Sequence, residues 1–344
     1  MELSAEMRDR AAGVLLGQAI GDALGVPYEF AAPIRAGEAE MIGGGLGPYE
    51  PGEWSDDTQM AVCIARVAAT GADLTTADAL DAIGEAFIDW KNNGASDIGN
   101  QTATVLELAS RETGTRLSDR MIALATELAR SGQAGNGGLM RTAIVGLVAL
   151  DSAAKTAEAA AKVCSLTHAE PRCIESAVLW TLAVRHAVLT GTMDVRCGLT
   201  HLAPDRRAWW EQQIDTAETD PPQSFTPNGY TVTAFQAAWA SIHSTLQMDG
   251  PAQFPAALQL AISIGNDTDT VAAITGSLLG AAYGASQLPA DWVAQIHGWP
   301  GLRAEDLMRL GEAVSRQGIP CRPPDAAWNR QQDAKVVARA ASSA

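Results

Sequence analysis

Three glycines recur at every fourth position along the first apolar segment of the chain, at Gly13, Gly17 and Gly21. The apolar residues between them follow helical spacing, so we expect a helix that begins near Ser4. Each glycine inside a helix costs roughly 1 kcal/mol of helix propensity, so a row of glycines indicates a packing role. A helix face without side chains lets a second helix approach closely. The first segment therefore predicts tight packing between two helices.

Helical patterns continue along the chain, and strand signals are nearly absent. Residues 191–230 are rich in proline and predict a connector with one short helix near Trp209 and Trp210. No change in composition marks a linker between domains. The sequence therefore predicts an all-α fold, with one large helical domain over residues 1–320 and a partly disordered tail over residues 321–344. The other predicted helices cover residues 60–67, 75–90, 100–108, 117–130, 142–150, 153–165, 173–189, 230–246, 254–264, 271–283 and 304–316.

The chain of 344 residues carries a formal net charge of −16, and its pI is about 4.7. Binding to nucleic acid or to an anionic membrane needs a basic surface that neutralises phosphates, and no basic stripe is present. No uninterrupted apolar stretch is long enough to span a bilayer. We therefore expect neither a nucleic-acid partner nor a membrane partner.

The five cysteines are scattered and never form a Cys-x-x-Cys pair. An odd number without pairing favours reduced thiols and argues against a zinc site. The N-terminus is acidic where a secretory signal would be basic. These features predict a cytoplasmic location.

Two short acidic segments, residues 52–60 and 263–270, each precede an apolar helix. The side-chain oxygens of the first segment belong to Ser55, Asp56 and Asp57. Those of the second belong to Asp267, Asp269 and Thr270. Acidic residues favour helix starts because they complement the free N–H groups and the dipole, so two unrelated helix caps would explain both segments. The alternative is that the two segments face each other across a cleft and share metal ions.

All of these candidate ligands are oxygen donors without a nearby Cys or His. Such hard sites suit Mg²⁺, Mn²⁺ or Ca²⁺ rather than zinc. Two ions about 3.5–4 Å apart can bridge a water molecule or a pair of substrate hydroxyls. Glu29 is a further free carboxylate that can serve as a general base or as an additional ligand.

Glycine-rich loops precede two of the predicted helices. Residues 43–48 lack the Lys-Ser/Thr ending of a phosphate-binding loop and predict a flexible lid or a plain turn. Residues 135–141 can direct several backbone N–H groups at an anion, and Arg141 adds a planar positive charge.

Four single residues have both a structural and a functional interpretation. Asp97 and Asn100 stand at a predicted helix start, so capping alone would explain them. His168 lies at a helix junction, where histidines are usually structural. Tyr230 suits either the core or a surface on which a ring stacks.

Seven motifs occur in the order seen in the ADP-ribosylglycohydrolases, and the chain resembles this family over residues 10 to about 290. Each motif is short, but seven in register make coincidence improbable. The pattern is most similar to the branch that contains the dinitrogenase reductase-activating glycohydrolase. The motifs cover residues 21–29, 53–58, 97–100, 135–141, 167–168, 228–230 and 265–270.

The resemblance implies a compact all-α fold with a binuclear Mg²⁺ or Mn²⁺ centre at the base of a cleft. Glu29 would be a movable metal ligand and a candidate acid or base. The implied metal ligands are Ser55, Asp56, Asp57, Asp267, Asp269 and Thr270. The implied catalytic residues are Glu29, Asp56, Asp57 and Asp269.

The resemblance also implies how an ADP-ribosylated protein would bind. Asp97 and Gly99 would face the leaving group, where an acidic residue suits an arginine guanidinium, and serine-linked ADP-ribose is the alternative. Tyr230 would lie near the adenine or its ribose. The residues expected at the diphosphate and ribose are Asn136, Gly137, Gly138, Met140, Arg141 and His168.

Three departures from the family pattern affect this expectation. Ser55 stands where many relatives have Thr, which keeps the hydroxyl ligand. Ile144 occupies a position that is often Pro, so the backbone after Arg141 is expected to differ. Asn266 replaces a common Gly and adds a side chain near the metals. The irregular residues 191–228 match no family pattern.

The resulting hypothesis is hydrolysis of the bond between ADP-ribose and a protein side chain, most simply arginine. Metal ions would bind the ribose hydroxyls, and Glu29 or an aspartate would take a proton from the attacking water. A second hypothesis is a binding or immunity protein that blocks an ADP-ribosylating toxin, with or without hydrolysis. A third, a two-metal phosphoesterase, is disfavoured because no His or Lys clusters near the acidic residues.

Overall fold

A computed structural model describes residues 2–316, and α-helices account for most of them. The predicted all-α fold class is confirmed. The thirteen α-helices within this range are α1 (Ala5–Gly25), α2 (Asp56–Ala68), α3 (Ala77–Asn93), α4 (Asn100–Arg111), α5 (Leu117–Arg130), α6 (Ala153–Ser165), α7 (Pro171–Thr190), α8 (Pro204–Thr219), α9 (Thr231–His243), α10 (Gln253–Ser263), α11 (Thr268–Tyr283), α12 (Ala290–Gln295) and α13 (Ala304–Ser315). Two short antiparallel strands, β1 (His297–Gly298) and β2 (Leu302–Arg303), precede α13.

The glycine row of α1 packs directly against α11, and this is the most extensive helix pair in the described part of the chain. A Cβ atom on Gly17 would lie 2.2 Å from the carbonyl oxygen of Gly276. Only glycine permits this approach, as the sequence predicted. The facing pairs are Gly13 with Gly280, Gly17 with Gly276, and Gly21 with Ala272. The order of these pairs makes the two helices antiparallel, so the end of α1 lies beside the start of α11.

One continuous apolar core joins the helices and includes residues from Ala11 to Val314. Helix α7 crosses this core, and its Trp180 packs edge-on against Phe235 of α9, with ring centroids 5.3 Å apart. By length and composition alone α7 would also qualify as a membrane span, but 67% of its apolar window is buried inside the protein. The expected tail over residues 321–344 lies outside the described residues.

Two sequence predictions of helices were wrong in detail. Residues 142–150 form a 3₁₀ turn at Ala143–Leu147 rather than an α-helix. Gly146 weakens helix formation there and allows the turn to approach α7, since an added Cβ would lie 2.9 Å from the carbonyl oxygen of Thr181.

The supposed connector over residues 191–230 contains the 16-residue helix α8. Its buried residues, Trp210, Ile214 and Ala217, follow helical spacing within an otherwise charged segment. That weak pattern is the signal that was overlooked.

Candidate metal centre

The first acidic segment opens helix α2. Ser55 is the N-cap residue, and Asp56 and Asp57 occupy the first turn. The second acidic segment opens α11 in the same way, with Asp267 at the N-cap and Asp269 in the first turn. Each segment therefore presents carboxylates at a helix N-terminus, where the dipole favours negative charge.

A tight turn with left-handed backbone precedes the second segment. Gly265 has φ of +80° and Asn266 has φ of +63°. Asparagine adopts this region more readily than most residues with a side chain, which explains how Asn266 fits a turn where the family resemblance predicted glycine. The backbone oxygen of Asn266 accepts a hydrogen bond from the Phe30 N–H at 2.7 Å. The turn thus connects the second segment to the residue that follows Glu29.

The close packing of α1 and α11 places the end of α1 beside the second acidic segment, and Asp22 at that end accepts hydrogen bonds from Ser55 and Thr58 of the first segment. The hydroxyl of Ser55 lies 3.2 Å from Oδ2 of Asp269, and the hydroxyl of Thr270 lies 3.4 Å from Oδ2 of Asp57. The two segments therefore form one centre rather than two separate helix caps.

Asp22, at the end of α1, is a member of this centre that the sequence analysis did not list among the site residues. It is fully buried. Its Oδ1 accepts hydrogen bonds from the backbone N–H and the hydroxyl of Ser55 at 2.8 and 2.7 Å. Its Oδ2 accepts from the Thr58 N–H at 2.9 Å. Asp22 thereby fixes the start of α2, and an aspartate on the buried face of a glycine-rich helix was the signal that could have revealed it.

Two overlapping triplets of carboxylates have the spacing of metal ligands. In each triplet, one oxygen per residue lies within 4.8 Å of the others. The first contains Asp22, Asp57 and Asp269, and the second contains Glu29, Asp267 and Asp269. Asp269 is common to both, which is the arrangement expected when one carboxylate serves two neighbouring cation positions.

The donor set fits a hard divalent cation. All members are oxygen donors, as Mg²⁺, Mn²⁺ and Ca²⁺ prefer. Oδ1 of Asp57 is buried and has no hydrogen-bond partner among the described residues. A buried carboxylate oxygen without a partner is costly, and a cation in the centre would satisfy it.

The pKa values of these carboxyl groups also indicate that the centre binds a cation. Burial, followed by repulsion from Asp267 and Asp97, raises the pKa of Glu29 to about 9. Burial raises the pKa of Asp22 to about 6. Burial and repulsion from neighbouring carboxylates also raise the pKa values of Asp56, Asp57 and Asp269, and burial raises the pKa of Asp267. So many buried carboxyl groups cannot all ionise without a compensating positive charge.

Asp97 lies on the Asp56 side of the centre. Among the charged groups that raise the pKa of Asp56, Asp97 acts most strongly after burial. Gly99 is exposed and is the N-cap residue of α4.

The glycine loop before Arg141 is tied to the second acidic segment. Nδ2 of Asn136 donates to Oδ2 of Asp267 at 2.8 Å and to the backbone oxygen of Asn228 at 3.0 Å. The backbones of Gly135 and Tyr230 pair in an isolated antiparallel β-bridge. The Tyr230 hydroxyl accepts a hydrogen bond from the Arg172 guanidinium at 2.9 Å. The loop is therefore tied to the centre through Asn136 and to the segment of Tyr230 through Gly135, while Gly137 and Gly138 lie against His168 and the backbone oxygen of Met140 accepts from Gln18. Asn228 and Arg172 are further residues of this region that were not predicted.

His168 is buried directly under this loop. A Cβ atom on Gly137 would lie 2.9 Å from the His168 ring. Burial, followed by the charge of Arg141, lowers the pKa of His168 to about 3, so the imidazole is neutral.

The structure does not bring Arg141 into the cleft. The side chain is fully buried, and its guanidinium lies 4.6 Å from the centroid of the Phe87 ring. It donates to the Thr167 hydroxyl at 2.7 Å, and that hydroxyl lies 2.8 Å from Nδ1 of His168. The Thr167 hydroxyl therefore links the guanidinium of Arg141 to the imidazole of His168. Arg141 therefore orients His168.

Comparisons with known proteins agree with this geometry. A family model described as ADP-ribosylglycohydrolase matches residues 3–321. The chain is 31% identical over 300 residues to the ADP-ribosylarginine hydrolase Tri1 of Pseudomonas putida (strain GB-1), covering 84% of this chain and 74% of the relative. It is 27% identical over 296 residues to the ADP-ribosyl-[dinitrogen reductase] glycohydrolase of Rhodospirillum rubrum, covering 84% and 91%.

A solved structure described as an ADP-ribosylglycohydrolase-related protein complex has the same fold. Its TM-score is 0.70 at 26% sequence identity, and the match covers 92% of this chain and 100% of the other. Carboxylates from three of the seven motifs, at residues 21–29, 53–58 and 265–270, meet in the centre. With a family match over most of its length, the chain belongs to the ADP-ribosylglycohydrolase family.

Proposed function

We propose that this protein releases ADP-ribose from modified arginine side chains of proteins, with two Mg²⁺ or Mn²⁺ ions bound in the acidic centre. The observation that supports this most strongly is the pair of carboxylate triplets that share Asp269. Two relatives, from Pseudomonas putida and Rhodospirillum rubrum, bear names that state release of ADP-ribose from arginine or from dinitrogen reductase. Helix packing alone has no need for six buried or half-buried carboxylates at one point.

The residues divide into groups with separate tasks. Asp22, Ser55, Asp57 and Asp269 would hold one cation, and Glu29, Asp267 and Asp269 the other, with Asp56 and Thr270 completing the two sets. When bound, the cations would supply fixed positive charge that orients the ribose hydroxyls and a water molecule and stabilises charge on oxygen. The ADP-ribose would follow the glycine loop over His168, and Tyr230 would lie along the adenosine.

The carboxylates would also carry out the proton transfers of the reaction. Hydrolysis of a glycosidic bond needs a group that takes a proton from the attacking water and passes one to the leaving group. Glu29 is half-buried at the open side of the centre, and the raised pKa of its carboxyl means that it binds a proton readily. Asp97 and Gly99 would face the leaving group, where a carboxylate attracts the guanidinium of arginine.

The assay is release of free ADP-ribose from an arginine-ADP-ribosylated protein, after removal of metal with a chelator and again after addition of Mg²⁺ or Mn²⁺. A serine-ADP-ribosylated peptide is run in parallel. We expect metal-dependent release from the arginine substrate. Release from the serine peptide alone would overturn the assignment to arginine and keep the metal site.

Variants test the residues. Asp57→Ala and Asp269→Ala should each lose at least about a hundredfold in activity. The matched control is Asp205→Asn, because Asp205 also occupies the first turn of a helix but is exposed and far from the centre in sequence. Full activity of either alanine variant would contradict the proposal.

No contact in the described residues favours the alternative of a protein that only blocks an ADP-ribosylating toxin, and that partner stays a prediction from the sequence. The cytoplasmic location likewise stays a proposal. Four cysteines within the described residues are free thiols, which agrees with a reducing compartment.

A further inference from the structure

Tyr49 stands between the glycine-rich loop at residues 43–48 and the first acidic segment, and the functions discussed above do not use it. Its side chain is only 6% exposed. The ring packs over Gly47, where an added Cβ would lie 2.7 Å from a ring carbon. The backbone oxygen of Tyr49 accepts from the Gly44 N–H at 2.9 Å, which closes the loop. The direction of the ring is therefore set by the loop.

The Tyr49 hydroxyl is buried and has no hydrogen-bond partner among the described residues. Buried hydroxyl groups nearly always have a partner, because an unpaired one loses its hydration without compensation. Like Oδ1 of Asp57, this hydroxyl is a buried polar atom that a bound ligand could pair.

The surroundings of this hydroxyl are those of the acidic centre. Tyr49 is not part of the apolar core that joins the helices. After burial, the groups that act most strongly on its pKa are Asp56, Asp22 and Asp97, and all of them raise it. The phenol therefore keeps its proton. The loop that holds Tyr49 also lies against the residues just before Glu29, because a Cβ atom on Gly45 would lie 2.4 Å from the backbone oxygen of Val26.

The chemistry of this position selects the kind of ligand. A phenol oxygen has lone pairs that accept hydrogen bonds, and carboxylates are acceptors only. A substrate group that carries both N–H donors and positive charge can satisfy the phenol oxygen and the carboxylates together. A guanidinium that carries ADP-ribose on one nitrogen keeps several N–H donors in a planar, positively charged fork, whereas the diphosphate offers only acceptors and the ribose hydroxyls carry no charge.

We propose that the Tyr49 hydroxyl accepts a hydrogen bond from the guanidinium of the ADP-ribosylated arginine and is a specificity-determining residue for arginine. This inference rests on the proposed function, since it names a further contact to the same substrate. The carboxylate of Asp97 would attract the positive charge of the guanidinium, and the Tyr49 hydroxyl would orient the guanidinium by accepting a hydrogen bond from it.

The test is Tyr49→Phe, which removes only the oxygen. We expect kcat/KM for the arginine-ADP-ribosylated protein to fall roughly tenfold, as for loss of one hydrogen bond to a charged group. The affinity for free ADP-ribose, which has no guanidinium, should stay unchanged in a calorimetric titration. The midpoint of thermal unfolding should not fall, because the hydroxyl has no partner to lose in the free protein.

The matched control is Tyr28→Phe. The Tyr28 hydroxyl lies on the neighbouring segment but is already paired with the backbone N–H of Glu40 at 2.9 Å. We expect this variant to keep the wild-type kcat/KM.

Three results would overturn the inference. If Tyr49→Phe keeps wild-type kcat/KM, the hydroxyl does not contact the substrate. If Tyr49→Phe binds free ADP-ribose about tenfold more weakly, the hydroxyl contacts ADP-ribose and not the guanidinium. If the wild type itself releases nothing from the arginine substrate, the proposed function fails, and this inference fails with it.

Discussion

Replacing Gly17 by alanine tests whether the contact between α1 and α11 positions the metal centre. The new Cβ would lie 2.2 Å from the Gly276 carbonyl oxygen and 3.1 Å from Cα of Gly280. Both obstacles are backbone atoms, which no rotamer change can remove. The two helices would therefore have to separate by roughly 1 Å along their contact.

Two opposing contributions set the change in the free energy of unfolding for Gly17→Ala. Overpacking of this kind typically costs about 1–3 kcal/mol, and alanine recovers roughly 1 kcal/mol of helix propensity. Because backbone meets backbone here, we take the upper end of the first range. The free energy of unfolding should fall by about 2 kcal/mol, which lowers the midpoint of thermal unfolding by roughly 4 °C.

The same separation should weaken metal binding. Helix α1 carries Asp22 and α11 carries Asp269, and both belong to one carboxylate triplet. We expect a weaker Mn²⁺ affinity together with the lower stability. Denaturant titration of the metal-free protein measures the first effect, and Mn²⁺ titration measures the second.

The control is Gly84→Ala in α3. Its added Cβ would meet the Sδ of Met121 at 2.8 Å and a side-chain carbon of Leu117 at 3.1 Å. Both are flexible side-chain ends that can move, so stability should stay within about 1 kcal/mol of wild type. If Gly17→Ala and Gly84→Ala are equally stable, or if Gly17→Ala binds Mn²⁺ like wild type, the reasoning is refuted.

Two further predictions concern protons. The pKa of His168 is about 3 in the folded protein and near 6.5 in the unfolded chain. Between these two pH values the unfolded chain binds one more proton than the folded protein, so the free energy of unfolding falls as the pH falls. Between pH 7.5 and 5 the wild type should lose about 2 kcal/mol more unfolding free energy than His168→Gln; parallel losses would contradict this. The pKa of Glu29 is raised to about 9, so the metal-free protein carries a proton there at pH 7 and Mn²⁺ binding should release it. Calorimetry in buffers of different ionisation enthalpy measures that release, which should be smaller in Glu29→Gln; equal release would contradict the assignment.

Much of the fold and of the centre could be predicted because local patterns had direct structural causes. The glycine spacing of α1 has one physical use, close approach of a backbone, and Gly276 and Gly280 supply the matching surface. The two acidic segments converge because that same contact places Asp22, which accepts hydrogen bonds from Ser55 and Thr58, beside the start of α11. The sequence alone left two unrelated caps as an alternative, since it does not show which helices are neighbours.

Other features depend on tertiary contacts that no local pattern reports. Asp22 looked like an ordinary polar residue near a helix end, and only its three hydrogen bonds to Ser55 and Thr58 reveal its task. Arg141 suggested an anion site because charge usually lies at a surface, yet its contacts with Phe87 and Thr167 hold it in the core. The orphan hydroxyl of Tyr49 becomes visible only when every neighbour is known.

The central claim is that the two acidic segments form one metal centre, and equilibrium binding of Mn²⁺, followed by electron paramagnetic resonance, tests it most directly. We predict two bound ions per wild-type chain, and at least tenfold weaker binding in both Asp57→Asn and Asp269→Asn, with Asp205→Asn unchanged. Wild-type Mn²⁺ binding by either centre variant would contradict the claim, because a carboxylate from one segment would then be dispensable to the other.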